Sequence, residues 1–190
     1  MRLHRRPLRR LMLAAAALAV ATATAAHAGY NIWTGEYTFT KQELQQAVDK
    51  RFPATLRYAQ VVSVQLTHPR LVLDDANNRI TTQMDAQLTN GLAAAPPVNG
   101  TLSLNSGLRY DKTQRAVLLD NPTVQDVQVQ GMALYREQLN AIGAVVAQQL
   151  LKDYPIYTFK PDELRFGGKE VEPGAIKVDP EGIRVEVKDR

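Results

Sequence analysis

One long stretch of alternating residues, from Tyr58 to Val129, constrains the fold of this chain more than any other feature. Apolar and polar residues take turns along it, as in the segment from Ile80 to Leu88. Because successive side chains of a strand point to opposite faces, such a segment is apolar on one face and polar on the other. Turn-forming residues separate the alternating segments. The stretch therefore predicts a curved antiparallel sheet of four to six strands in meander order.

Two helices are predicted beside this sheet. Thr40 and Glu43 form a capping-box motif that begins a short N-terminal helix, and Pro53 ends it. A second helix, about Leu134 to Tyr154 and roughly 30 Å long, is indicated by an apolar stripe of Leu139, Ile142, Val146 and Leu150. A short strand and a terminal hairpin follow. We expect an α+β fold in which a highly curved antiparallel sheet wraps the long helix of the C-terminal half.

The first 28 residues have the pattern of a cleavable signal peptide. Five arginines precede an apolar stretch from Leu11 to about Ala23, and Ala26-His27-Ala28 provides a small-residue cleavage site after Ala28. A short membrane anchor is the alternative, but the stretch is rich in alanine and threonine and ends in small residues. The chain has no cysteine, hence no lipoprotein cysteine. We expect a periplasmic protein whose residues 29–190 form a single domain.

The positive charge of the chain belongs to this export segment. The segment carries five arginines and no acidic residue, so its removal lowers the formal charge from +4 to −1. Aromatic residues do not alternate with a basic run in the remainder. The sequence therefore predicts no nucleic-acid partner.

Residues that could carry catalysis or hold a metal are scarce. His68 is the only histidine after residue 28, it precedes Pro69 at a predicted strand break, and no G-x-S-x-G motif is present. One histidine without cysteine excludes the usual zinc sets. The segment Asp74–Asn78 resembles half a calcium loop, but Arg79 takes a ligand position of that pattern. We expect no enzyme, no metal and no cofactor; a hydrolase would have to use His68.

The apolar faces of the sheet and of the long helix are the remaining functional candidates. They either pack together as a solid core or enclose a groove for an acyl chain. A chain of sixteen carbons buried in such a groove would contribute on the order of 10 kcal/mol before binding costs. The predicted ligand-lining residues are Val62, Val64, Leu66, Leu71, Leu73, Ile80, Met84, Leu88, Leu102, Leu104, Leu108, Leu139, Ile142, Val146 and Leu150.

Two segments carry a resemblance to a known family. The run YTFTKQELQ from Tyr37 to Gln45 and the run LKDYPIY from Leu151 to Tyr157, with the export signal and the repeated long strands, resemble the uncharacterised YceB-like bacterial envelope proteins. The similarity covers about Tyr37 to Val187. It implies a helix wrapped by a highly curved sheet, kinship with the tubular lipid-binding superfamily and a hydrophobic-ligand role, with no catalytic residues. YceB-like proteins are often tethered through an N-terminal cysteine, which this chain lacks, so a free periplasmic form is favoured.

Two functions follow from these observations. The first is a periplasmic, non-enzymatic binding protein for a lipid or another long apolar ligand. The alternative is an envelope interaction or assembly protein with a solid core, whose contact surfaces would be the loop from Ala93 to Gly100 and the aromatic N-terminal lead-in. A monomer is expected, with an envelope protein or a transient membrane contact as the possible partner.

Overall fold

A computed structural model describes residues 29–31, 34–58, 62–90, 96–131, 136–166 and 168–189. The predicted signal peptide and residues 91–95 lie outside these ranges. The strands are β1 Gly29–Asn31, β2 Glu36–Thr40, β3 Ala54–Tyr58, β4 Val62–Asp74, β5 Arg79–Asn90, β6 Val98–Asp111, β7 Ala116–Val129, β8 Pro155–Thr158, β9 Arg165–Phe166, β10 Lys169–Asp179 and β11 Gly182–Asp189. The helices are α1 Lys41–Asp49 and α2 Arg136–Val146, which a π-helical turn, Ala147–Leu151, prolongs.

The strands form two antiparallel sheets. The larger sheet runs β3-β4-β5-β6-β7-β8, each strand beside its neighbour in the sequence, and the smaller one runs β1-β2-β11-β10-β9. Breaks in register interrupt the larger sheet, between Thr67 and Arg70 in β4 and at two points in β6. Because a bulge bends its strand and increases the local twist, these irregularities curl the sheet into a half-barrel. The antiparallel meander predicted from the alternation is confirmed.

The predicted α+β class with a long wrapped helix is wrong. Strands account for 62% of the described residues and helices for only 16%, so the protein is mostly β. The α-helical part of the predicted 134–154 helix ends at Val146. The amide of Lys152 then donates to the Ala147 carbonyl oxygen, five residues back, over 2.9 Å, and Asp153 turns the chain out of the helix at φ 58°. The apolar stripe runs on into the buried Leu150 and Leu151, so side-chain spacing alone did not reveal the change of helix type.

Helix α1 begins as predicted. The Glu43 amide donates to Thr40 Oγ1 over 3.3 Å, and the Thr40 amide donates to Glu43 Oε2 over 2.8 Å. These two bonds satisfy amides that have no partner inside the helix. The helix ends at Asp49, ahead of Pro53, and buries Leu44 and Val48.

The smaller sheet joins strands from the beginning and from the end of the described residues. The predicted terminal hairpin is present as β10 and β11, and β2 adds to it with Phe39 opposite Ile183. Aromatic side chains then connect the two sheets, with ring centroids 4.2 Å apart for Phe39 and Tyr157 and 5.1 Å apart for Tyr37 and Phe159. These rings therefore continue the hydrophobic core from one sheet to the other.

Candidate apolar site under helix α2

The predicted ligand-lining residues all lie in the interior. The partly buried ones are Val62, Leu73, Leu88, Leu108 and Ile142. The others are at most 4% exposed: Val64, Leu66, Leu71, Ile80, Met84, Leu102, Leu104, Leu139, Val146 and Leu150. Because even positions of β5 and β6 share the inner face of the sheet, the period-two pattern assigned these side chains to the correct side.

An apolar cavity brings together some of these residues and not others. It lies between α2 and the strands β4 to β7 and is lined by Val64, Ala86, Leu88, Leu102, Val127, Val129, Leu139, Ile142, Gly143 and Val146. The remaining predicted residues pack elsewhere in the core. Ala86, Val127, Val129 and Gly143 were not predicted as lining residues. Strand alternation places Ala86 on the same face as Met84 and Leu88, so that signal was available in the sequence.

The cavity is small. Its free volume is about 20 Å³, which is room for about one water molecule. Small-molecule sites usually have roughly 300–1,000 Å³. In this conformation, therefore, helix and sheet pack together as a nearly solid core.

Gly143 permits this close packing. A Cβ atom at residue 143 would lie 3.0 Å from Val124 Cγ2, 3.2 Å from Leu102 Cδ1 and 3.3 Å from Val127 Cγ2. These distances are shorter than ordinary contacts between carbon atoms. A larger residue at this position would therefore hold α2 farther from the sheet.

Apolar contacts attach α2 to the sheet. Among its described side chains, the polar Glu137 and Asn140 are exposed, and none donates or accepts a hydrogen bond across to the sheet. The next polar attachment to the sheet along the chain follows the π-helical turn, where the Asp153 amide donates to the Leu119 carbonyl oxygen of β7 over 3.0 Å. Since hydrophobic contacts are not directional, an apolar molecule of suitable shape can replace them.

Two buried hydroxyl groups lie on the inner face beyond the cavity. Thr82 Oγ1 and Ser106 Oγ have no hydrogen-bond partner among the described residues, and both residues are 0% exposed. Thr82 is opposite Leu104 and Ser106 is opposite Ile80 in the β5–β6 pairing. Buried hydroxyls of this kind commonly hold a water molecule. They make the centre of the curled sheet more polar than the end at which α2 packs.

His68 lies on the outer face, away from the cavity. It occupies the β4 bulge at φ 49°, its side chain is 76% exposed, and its Nδ1 lies 3.0 Å from Asp85 Oδ2. Asp85 also pairs with Arg70 over 3.3 Å. The predicted break at His68 and Pro69 is thus a bulge inside a continuous strand.

The acidic and amide-rich turn that resembles a calcium loop holds itself together. Asp74 accepts from the Asn77 amide over 3.1 Å and from Asn77 Nδ2 over 2.8 Å. In the part of the chain that the structure describes, no group of three or more histidine, aspartate or glutamate side chains could hold a metal ion. No helix in the same ranges has the length and apolar character needed to cross a membrane.

The strongest pKa shifts belong to phenols between the two sheets. Burial, with the nearby Glu163 as a smaller cause, raises the pKa of Tyr37 to about 12. Burial also raises the pKa of Tyr157, whose hydroxyl donates to Glu163 Oε1 over 2.9 Å. Both phenols donate to Glu163, in the turn between β8 and β9: Tyr37 donates to its carbonyl oxygen and Tyr157 to its carboxylate.

Fold and site together define a mostly β protein in which a curled antiparallel sheet holds an apolar core beneath a short helix. The chain belongs to the family described as protein of unknown function (DUF1439), whose model matches residues 39–181. The match runs from the end of β2 to the turn between β10 and β11. It includes the whole larger sheet and both helices, and it includes β9, β10 and the end of β2 from the smaller sheet. The expectation of an uncharacterised family is confirmed. A search of curated proteins returned no match to this chain.

Proposed function

We propose that this protein is a non-enzymatic envelope protein that binds a lipid acyl chain, or another long apolar ligand, between the curled sheet and α2. The observation that carries the proposal is the cavity between helix and sheet, whose lining consists of apolar side chains and Gly143. The predicted signal peptide would place the protein in the periplasm, where membrane lipids are within reach. The resemblance to YceB-like envelope proteins supports the same role.

Binding requires α2 to move away from the sheet, because about 20 Å³ cannot hold an acyl chain. Exposing Leu139, Ile142 and Val146 would cost roughly 1.5–3 kcal/mol for each side chain. Burying a bound chain of sixteen carbons contributes on the order of 10 kcal/mol of favourable free energy, from which the cost of association is subtracted. The cost of exposing the three side chains and the gain from burying the ligand are therefore similar in size. Useful affinity therefore depends on α2 packing again over the bound chain.

A disulfide between helix and sheet tests this mechanism directly, since the chain has no cysteine of its own. The position of a Cβ on residue 143 lies 3.0 Å from Val124 Cγ2, which is close enough to bridge cysteines at the two positions. We expect the double variant Val124→Cys and Gly143→Cys to take up a fluorescent fatty acid when reduced and to lose that uptake when oxidised. The reduced and oxidised forms have the same sequence, so each is the control for the other.

Native mass spectrometry of wild-type protein purified from the periplasm is a second test of lipid binding. Co-purified lipid would support the proposal. Absence of lipid, together with no uptake of fatty acid by the wild type or by the reduced variant, would refute it. Equal uptake by the reduced and oxidised forms would show that the ligand site is not under α2.

A second function is favoured by the small volume of the same cavity. A core this nearly solid suits an envelope interaction or assembly protein that binds no ligand. The exposed Pro96 and Pro97 lie at the described end of the predicted contact loop. Crosslinking in cells should then capture one defined envelope protein, and replacing both prolines should abolish that crosslink while the protein stays folded. A crosslink that survives the replacement would reject this contact surface.

A further inference from the structure

A larger cleft lies at the opposite end of β6 from the apolar cavity. It has a free volume of about 330 Å³ and opens between the β6–β7 turn, the segment 161–165 and β10. Tyr110, Leu164 and Val171 contribute apolar surface to it, and Lys112, Arg115 and Arg165 contribute positive charge. The volume is within the usual range for small-molecule sites.

Two of the three cations have acidic partners within the cleft. Lys112 Nζ lies 2.5 Å from Glu172 Oε1, and Arg165 Nη2 lies 3.5 Å from Glu170 Oε1. The Arg115 guanidinium, in contrast, makes no hydrogen bond or ion pair with any residue in the described ranges; only its backbone carbonyl is engaged, by the Phe159 amide. One positive charge therefore remains available at the cleft.

Arg115 also holds an unfavourable backbone conformation. Its φ is 51°, in the left-handed region that arginine rarely adopts. The β4–β5 turn has the same length, and Asn78 takes the corresponding position at φ 54°. Asparagine tolerates this conformation well.

The two residues differ in what their side chains contact. Asn78 Nδ2 donates to the Ile176 carbonyl oxygen over 3.0 Å, and Asn78 Oδ1 accepts from the Val178 amide over 2.7 Å. Its side chain thus joins the β4–β5 turn to β10. The Arg115 side chain makes no comparable contact; within the described ranges this residue is held through its backbone, by the bond from the Phe159 amide. A residue in a strained conformation whose side chain makes no structural contact is a candidate for a functional role.

We propose that this cleft binds an organic anion, with Arg115 holding a carboxylate or phosphate group and the apolar part of the ligand lying on Leu164 and Val171. The guanidinium presents parallel N–H donors that match the oxygens of either group. The site is separate from the cavity under α2 and does not depend on the function proposed for that cavity.

Nuclear magnetic resonance titration of ¹⁵N-labelled wild-type protein tests the proposal with four probes: sodium hexanoate, hexyl phosphate, inorganic phosphate and hexanol. We expect saturable shifts of the Arg115 side-chain resonance and of the amides 112–115 with an organic anion. Hexanol, which lacks the charge, and inorganic phosphate, which lacks the apolar part, should cause smaller shifts. Comparison of the first two probes decides between carboxylate and phosphate. Absence of saturable shifts with both organic anions would overturn the proposal.

The variant Arg115→Asn separates binding from stability. Because asparagine suits the left-handed conformation, the melting temperature should stay the same or rise. The loss of the charged hydrogen bonds should raise the dissociation constant roughly 10- to 100-fold. Arg115→Lys, which keeps the charge but not the fork of donors, should lie between Arg115→Asn and the wild type. Arg57→Gln removes an exposed arginine of β3 outside the cleft and should bind as the wild type does.

Unchanged affinity in Arg115→Asn would also refute the proposal. So would a lower melting temperature in that variant, because it would show that Arg115 stabilises the fold. An equal loss of affinity in Arg57→Gln would show that the affinity depends on the net charge of the protein and not on a contact with Arg115.

Discussion

Replacing Gly143 by alanine measures how tightly α2 packs on the curled sheet. The new methyl group would lie 3.0–3.3 Å from side-chain atoms of Val124, Leu102 and Val127. Two opposing effects follow. Alanine in a helix interior is favoured over glycine by about 0.8–1.0 kcal/mol. Overpacking a filled core costs about 1–3 kcal/mol. The expected net change is therefore a loss of roughly 0–2 kcal/mol in the free energy of unfolding.

The propensity effect can be measured separately on the same helix. Ala144 is adjacent but exposed, so Ala144→Gly should cost about 1 kcal/mol through helix propensity alone. Urea unfolding followed by circular dichroism gives both free energies, and equal m-values would show that the compared states are the same. The loss of unfolding free energy in Ala144→Gly gives the gain expected from helix propensity at residue 143. The difference between that expected gain and the change measured for Gly143→Ala is the cost of the contact with the sheet.

This reasoning would be refuted if Gly143→Ala raised the free energy of unfolding by as much as Ala144→Gly lowers it. That outcome would mean that α2 is not pressed against the sheet and that the cavity beneath it is larger than about 20 Å³. A clear shortfall, in contrast, would confirm the close contact on which the disulfide experiment depends.

Three further predictions concern bonds that hold the edges and the seam of the two sheets. Gln45→Ala should lower the free energy of unfolding by about 1–3 kcal/mol, because Gln45 Oε1 accepts from the Leu71 amide over 2.9 Å at the edge of β4. Asn78→Gly keeps the left-handed turn but loses the 2.7 Å bond from the Val178 amide, so urea unfolding should show a free energy of unfolding lower by about 1–2 kcal/mol. Asn78→Ala loses the same bond and also strains the left-handed backbone, which should lower the free energy of unfolding by about 1–2 kcal/mol more. Above pH 10 the unfolded Tyr37 phenol loses its proton while the folded one keeps it to about pH 12, so stability should fall over this window by up to about 1.4 kcal/mol per pH unit.

Each of these predictions has its own control. Gln46→Ala, at an exposed position of the same helix, should change stability little; a loss equal to that of Gln45→Ala would mean that helix propensity, not the strand edge, is responsible. Equal stabilities of Asn78→Gly and Asn78→Ala would show that the turn carries no strain. Tyr37→Phe should have a shallower decline above pH 10 than the wild type, and parallel declines would assign the effect to other groups.

The sheet and its apolar face could be predicted because alternation is a local property. Whether Ile80 and Met84 face the core depends only on the period of a strand, and the capping box of Thr40 and Glu43 involves atoms three residues apart. The site was predicted less well. Residues on the correct face were identified, but the pattern did not distinguish those around the cavity, such as Leu102, from those packed elsewhere, such as Leu66.

The sequence by itself determined the alternating strands between Val62 and Val129, the terminal hairpin, the first helix and the apolar inner face, since each depends on contacts among residues close together in the chain. Only the tertiary structure decided that β2 pairs with β11, that the second helix changes type after Val146, and that the cleft beside Arg115 exists. These features depend on segments that are distant in sequence and on packing differences of a few tenths of an ångström. No short-range pattern of residues encodes such differences: the atoms nearest to a methyl group at residue 143 belong to side chains of β6 and β7, which are distant in sequence.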